Sequence, residues 1–323
     1  MKVFYHDDPD GRLSAFWVHD FCEQHGQPLL QQDLIGLEYK DRVPLERVKA
    51  GEPVFVVDFA FDVEVMRSLL TLTDNVIWID HHQSNIGRYD ELLKEFNKTF
   101  LAGLHDIRFS ACVLTWWYLN RYIGVDTNTK LEDRQFYRIS LAQELCEKSF
   151  LLEPPFFTVL LGDWDAWRHE FGEETQYFYT GLQLRDTSPL SDVWKLLAND
   201  PSLCHVMTIK DQGAPVVRYK EQFAKEYCHQ WGFETVFEDK RAFAVNMART
   251  SSKFFESIEQ EGTEFDYEVF ISFVQSSTGY TISLYSDKVD VSLLAKKHGG
   301  GGHKGAAGFC CETLPFPLKY SLP

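Results

Sequence analysis

Residues 76–82 read Val76-Ile77-Trp78-Ile79-Asp80-His81-His82: a short apolar run, then a carboxylate and two imidazoles. Four consecutive apolar residues suit a strand covered on both faces, the kind a parallel sheet needs. The same punctuation recurs outward along the chain. Val3–Tyr5 runs into His6-Asp7-Asp8-Pro9-Asp10-Gly11, and Val54–Val57 ends at Asp58. Phe157–Leu161 reads as a fourth strand, ending at Gly162-Asp163-Trp164-Asp165. Between these runs the spacing turns helical. Leu13, Phe16, Trp17 and Phe21 lie on one face, with Gly26 as a stop. Val65, Met66, Leu69 and Leu70 follow an Asp62 cap; Val113, Leu114, Trp117 and Tyr118 follow a Ser110 cap, with Gly124 as the end. A further helix is expected within 130–150. This alternation predicts an α/β fold: a mostly parallel sheet with helices on both faces.

In an open parallel sheet the carboxyl ends of the strands share one edge, and ligands bind there. A single aspartate at a strand end is ordinarily a turn former or helix cap, and a lone His-His pair is more often surface or packing. Four strand ends with the same chemistry predict convergence in one site. Carboxylates gathered in one cleft resist ionising together, and divalent cations remove that conflict. Carboxylates with a few imidazoles suit Mn²⁺ or Mg²⁺; zinc sites lean more on Cys and His. Asp8 and Asp10 share one turn, and Asp58 is placed to bridge two ions. Two such ions ~3.5–4 Å apart bind a phosphate, lower the pKa of a bridging water and stabilise in-line displacement.

The remaining sequence bounds the reading. The chain has 323 residues, enough for two domains, and 44% hydrophobic residues, enough for real cores. Its net charge of −16 argues against holding long nucleic acid, duplex above all, on a broad basic face. Seven cysteines without a C-x-x-C pair give neither a disulfide framework nor a zinc signature. The N-terminus carries no signal-peptide pattern and no apolar run approaches ~18 residues, so a cytoplasmic protein without a membrane span is expected. Turn clusters at 186–190 and 199–202 precede Val216, Tyr219, Phe223, Tyr227 and Trp231, whose spacing predicts a connecting helix. Strands are expected at Ala242–Val245, Glu268–Val274 and Tyr280–Tyr285, and a helix at 290–298. The predicted organisation is a catalytic metal-binding domain at 1–190, a helical linker at 191–232 and a smaller α+β domain at 233–323.

Gly299-Gly300-Gly301-Gly302-His303-Lys304-Gly305-Ala306-Ala307-Gly308 is the second chemical signal. Its glycines let backbone N–H groups approach an anion, and His303 and Lys304 add donors, so it reads as a phosphate cradle. Trp116, Trp117, Trp164 and Trp167 are expected in the core, Arg12, Arg108 and Arg168 on solvated surface, and Cys310 and Cys311 in a strand. Asp165 either replaces or assists Asp163 or caps the next turn.

Asp80-His81-His82 resembles the signature of the DHH phosphoesterase superfamily. His6-x-Asp8-x-Asp10-Gly11 resembles its first motif, Asp58 its second, Asp163 its fourth, and 299–309 the glycine-rich motif of the associated DHHA1 domain. The resemblance covers nearly the whole chain in the expected order. It implies a DHH domain plus a C-terminal DHHA1 domain, an active site between them, and a manganese-preferring two-metal centre, with Mg²⁺ as the alternative ion. It implies His6, Asp8, Asp10, Asp58, His81 and Asp163 as metal ligands. His82 would contact substrate or protonate the leaving group, and Asp80 would orient the histidines. Gly300, Gly301, Gly302, His303 and Lys304 would hold the substrate's terminal phosphate or nucleotide. The nearest subgroup is the nano-RNase-like exonucleases, implying release of nucleoside 5′-monophosphates from short oligonucleotides by a monomer or homodimer. That subgroup also includes small-nucleotide phosphatases and cyclic-dinucleotide phosphodiesterases; a non-catalytic scaffold is the alternative from another class. Many relatives carry Ser-Leu-Arg-Ser before the glycine motif. Here the segment is Ser283-Leu284-Tyr285-Ser286, so Tyr285 would meet substrate by stacking or by its hydroxyl.

Overall fold

The computed structural model describes residues 1–85, 87–98, 101–123, 153–248, 250–260 and 266–318. The chain divides into two compact units, Met1–Pro215 and Val216–Pro323. In the first, β1 (Lys2–His6), β2 (Leu34–Leu37), β3 (Val54–Val57), β4 (Val76–Asp80) and β5 (Ala102–His105) form one sheet. Their order is β2-β1-β3-β4-β5, and every neighbouring pair is parallel.

Successive residues of a strand point to opposite faces, and here each face has its own core. Val3, Tyr5, Phe55, Val57, Ile77 and Ile79 pack with Leu13 and Phe16 of α1 (Pro9–Gln24) and with Cys112 and Leu114 of α4 (Ala111–Trp117). Phe4, Val54, Val56, Val76 and Trp78 pack with Met66, Leu69 and Leu70 of α2 (Val63–Leu72) and with Leu92 and Leu93 of α3 (Asp90–Glu95). Each fully buried aliphatic side chain stabilises by roughly 1.5–3 kcal/mol. Two-sided burial is why these strands read as unbroken apolar runs, and the expected helices on both faces are present. The strands β2 and β5 carried no clear signal, since each is four residues long and contains a glycine.

One expected strand is a helix. Phe156–Asp165 forms α5, followed by α6 (Glu173–Leu182). A short apolar run cannot be assigned by periodicity alone: Phe157, Leu160 and Leu161, spaced for one helical face, are all buried in the α1 and α4 core. The Asp62 and Ser110 positions do precede helices, but neither side chain makes a capping bond. Trp116 is buried, whereas Trp167, expected in the core, is 70% exposed. The helix expected within 130–150, and Gly124, lie outside the described residues.

The second unit holds a six-stranded mixed sheet in the order β10-β11-β9-β8-β7-β6. Its strands are β6 (Phe233–Phe237), β7 (Lys240–Asn246), β8 (Val269–Ser276), β9 (Gly279–Tyr285), β10 (Gly301–His303) and β11 (Ala306–Cys311), and only β7 and β8 pair in parallel. The predicted connecting helix is part of Cys204–Trp231, and the expected helix at 290–298 is Val291–Lys297. Among the described residues no helix is long and apolar enough to cross a membrane.

Candidate metal centre

Strand order decides where the chemistry gathers. From β1 the chain moves to β2 on one side, then returns to β3 on the other and continues outward through β4 and β5. The order therefore reverses between β1 and β3, and a crevice opens at the carboxyl ends of those strands. His6 closes β1 and Asp58 follows β3, so both stand at this point.

The turn after β1 is tight. Asp8 caps α1, accepting from the Gly11 backbone N–H at 2.9 Å, and Pro9 starts the helix. A Cβ on Gly11 would lie 2.0 Å from the carbonyl oxygen of His6. Only glycine lets α1 leave the strand so abruptly, and the turn places Asp10 inside. Asp10 is 1% exposed, and its two oxygens accept from the backbone N–H groups of Ala111 (2.8 Å) and Cys112 (2.9 Å) at the start of α4. The Cys112 amide is one that a Ser110 cap would serve. A carboxylate has further lone pairs, and Asp10 Oδ2 also lies 3.8 Å from His81 Nε2.

Asp80 organises the turn after β4. Its Oδ1 accepts from the His81 and His82 backbone N–H groups at 2.8 and 3.2 Å and meets His82 Nδ1 at 2.8 Å; Asn85 donates to Oδ2 at 2.6 Å. Burial opposes its ionisation, but these donors hold the carboxyl below the usual range. Sequence reasoning missed Asn85, a polar residue five positions on whose partner appears only once the turn is folded.

The groups then converge. His6 Nδ1 lies 2.8 Å from Asp8 Oδ2 and 3.7 Å from Asp58 Oδ2, without hydrogen-bond geometry to either. His81 Nε2 lies 3.3 Å from Asp58 Oδ1 and 3.2 Å from Asp165 Oδ2, and His82 Nδ1 lies 3.9 Å from Asp58 Oδ1. Among the described residues three trios could each hold a metal ion, with ligand atoms within 4.8 Å of one another: His6, Asp8 and Asp58; Asp10, His81 and Asp165; Asp58, His81 and His82. Asp58 and His81 each belong to two of them.

Asp58 is the most exacting residue. It is 1% exposed, its φ is 55°, and neither carboxylate oxygen has a hydrogen-bond partner among the described residues. A left-handed conformation in a non-glycine residue is strained and clusters at functional sites. A buried carboxylate without donors is costly, and burial together with the charges of Asp10 and Asp8 pushes its pKa well up. Asp165 is raised by burial, Asp10 and Asp58. Burial works against the imidazolium of His6, but Asp58 and Asp8 outweigh it and push its pKa up to about 10. Four carboxylates facing three imidazoles are thus short of positive charge, and a cation fits that donor set.

Asp163 stands elsewhere. Its buried carboxylate accepts from the Glu170 backbone N–H at 2.9 Å and from Phe171 N–H at 3.4 Å, and the Thr175 hydroxyl donates to it. On a strand, residues 163 and 165 would share a face. On a helix they are rotated by about 200°, so only one reaches the cluster, and it is Asp165.

In the second unit, β10 and β11 make a hairpin that pairs Gly301 with Gly308 and His303 with Ala306. A Cβ on Gly300 would lie 2.1 Å from the Gly308 carbonyl oxygen, and Gly302 has φ 141°. The glycines are thus demanded in part by the hairpin's own packing. His303 and Lys304 are exposed at its turn. The Tyr285 hydroxyl donates to the Thr250 carbonyl at 2.8 Å, so it is engaged within this unit. Of the arginines, Arg12 is tied to Asp7 and Thr187, while Arg108 and Arg168 lie over the Phe109 ring.

No family model and no curated protein matches the chain. Solved structures do. The DHH domain of a member of the s1p family of ribosomal proteins is 14% identical over 95% of this chain and 82% of that one, with a TM-score of 0.52. RecJ from Thermus thermophilus, in complex with Mn²⁺, is 16% identical over 96% of this chain but 49% of its own, so this chain spans about half its length; the TM-score is 0.47. A pGpG-specific phosphodiesterase from Vibrio cholerae is 12% identical over 97% of this chain and 93% of that one, with a TM-score of 0.42.

Proposed function

We propose, for a chain built on the DHH-domain fold, that it is a manganese-dependent phosphodiesterase which cuts short oligonucleotides to nucleoside 5′-monophosphates. The observation that carries the reading is the buried Asp58 carboxylate, which belongs to two of the ligand trios and accepts no hydrogen bond on either oxygen among the described residues. His6 and Asp8 would hold one cation with Asp58, and Asp10, His81 and Asp165 a second. Asp165 takes the place expected for Asp163. When bound, a pair of divalent cations neutralises charge on phosphoryl oxygens and lowers the pKa of a water. The chain's own residues set the geometry. Asp80 fixes His82 through Nδ1 and raises its pKa against the opposing effect of burial; this leaves the His82 Nε2 proton for the leaving oxygen. Within the second unit, His303, Lys304 and the glycine backbone at 300–302 would supply donors for a phosphate or nucleotide.

A panel of a dinucleotide, a five-nucleotide RNA, cyclic dinucleotides, 3′-phosphoadenosine-5′-phosphate and pyrophosphate, each with Mn²⁺ and with Mg²⁺, tests the assignment. Fastest turnover of the linear oligonucleotides with Mn²⁺ is the expected result. Preference for cyclic dinucleotides or 3′-phosphoadenosine-5′-phosphate would move the substrate within the same chemistry. No hydrolysis and no Mn²⁺ binding by calorimetry would leave a scaffold.

A further inference from the structure

An aromatic column rises from the core to the cluster. Phe4 on β1 meets Phe61 edge-on at 5.3 Å, Phe61 meets Phe59 at 5.8 Å, and Phe59 stacks on Tyr39 at 5.0 Å and 29°. Phe4, Phe59 and Phe61 are buried, whereas Tyr39 is 56% exposed. The Tyr39 ring stands 5.1 Å from His6 and, edge-on, 6.4 Å from His82. It lies just beyond β2, at the edge of the sheet where the ligand trios converge.

A single exposed aromatic is normal on a protein surface. Tyr39 differs in being braced: Phe59 backs one side of the ring and His6 flanks it, so it presents surface in a fixed orientation. Every nucleobase has a π-face that stacks on such a ring without regard to sequence. An inorganic phosphate chain has none.

We propose that Tyr39 is a specificity residue, the platform on which the base next to the scissile phosphate stacks, so that this site takes nucleotide substrates in preference to inorganic ones. The inference rests on the phosphodiesterase reading and deepens it. A phosphate held among His6, His81 and His82 would lie beside the ring, with its nucleoside directed over Tyr39. A tyrosine hydroxyl, with an ordinary pKa of ~10, is neutral at physiological pH, so the platform does not repel the phosphate.

The test pairs kinetics with binding. Hydrolysis of a dinucleotide and of its abasic analogue is followed with Mn²⁺ for wild type, Tyr39→Ala and Tyr39→Phe. Binding of a 2-aminopurine dinucleotide is followed separately by quenching of its fluorescence. Loss of one stacked base corresponds to about a 5- to 150-fold effect. Tyr39→Ala should raise KM for the dinucleotide by that factor and leave the abasic KM within about twofold, and Tyr39→Phe should rescue the dinucleotide KM. Equal effects of Tyr39→Ala on both substrates, or none on either, would overturn the platform. Quenching that depends on Tyr39 in a protein that hydrolyses nothing would sustain the platform while removing the catalytic reading; quenching indifferent to Tyr39→Ala would remove the platform alone.

Discussion

Asp163 and Asp165 carry the same functional group two positions apart, yet the structure gives them different work. Asp163 accepts from two backbone N–H groups and the Thr175 hydroxyl, so its loss strands buried donors. Asp163→Ala should lower stability by about 1–3 kcal/mol, read by urea unfolding, while Mn²⁺ affinity in the folded protein is retained. Asp165→Ala should behave in the opposite way. Hydrolysis should fall on the order of 10³-fold, since several kcal/mol of charge stabilisation are at stake, and the fold should persist. Matching outcomes for the two variants would count against the assignment. Protons report on the same cluster. In the metal-free protein the pKa of His6 is pushed up to about 10, so at pH 7 it holds a proton that a cation must displace. Mn²⁺ affinity should rise with pH between 6 and 8, and calorimetry in buffers of different ionisation enthalpy should show proton release on binding. Without metal, the contribution of His6 to stability is whole below its unfolded pKa of ~6.5 and is lost as pH climbs toward 10. A flat Mn²⁺ affinity over that range would contradict the account.

At the scale of elements, the turns that follow β1 and β4 do the positioning, and Gly11 is the sharpest test. Gly11→Ala would drive a Cβ into the His6 carbonyl oxygen. Strand end and helix start must then separate, at a cost above the about 1–3 kcal/mol of ordinary overpacking. Mn²⁺ affinity should fall as well, because His6, Asp8 and Asp10 flank the turn. A variant with wild-type melting temperature and metal affinity would show that the turn is not what sets the site. The same elements show what was legible in the sequence. Val3–Tyr5, Val54–Val57 and Val76–Ile79 announce themselves because both of their faces are buried. The segment 157–161 does not, since five apolar residues look alike as a buried strand or a buried helix. That single ambiguity is what left open which of the two aspartates reaches His81. The connecting helix is similar: spacing marked Tyr219, Phe223 and Trp231 as its apolar face, yet they are exposed while Cys228 packs with Phe243 and Phe255. Spacing locates a helix, but small residues hide which face turns inward.

For the whole molecule, the strand order β2-β1-β3-β4-β5 turns local signals into one site. The acids and imidazoles lie as much as 159 positions apart, from His6 to Asp165, and no spacing rule connects them. What the sequence did show was that several strands end in the same chemistry, and a parallel sheet has one edge on which such ends meet. The braced ring of Tyr39 had no such signal, because its neighbours come from distant parts of the chain, His6 from the end of β1 and Phe59 from just beyond β3. The chain as a whole carries a net charge of −16, so any affinity for phosphate must come from cations held locally. Anomalous scattering at the manganese edge, from a crystal soaked in Mn²⁺, tests that most directly. Two peaks about 3.5–4 Å apart, one on each side of the Asp58 carboxylate, are the expected result. A soaked crystal with no manganese at Asp58, or with the metal at Asp163 instead, would contradict it.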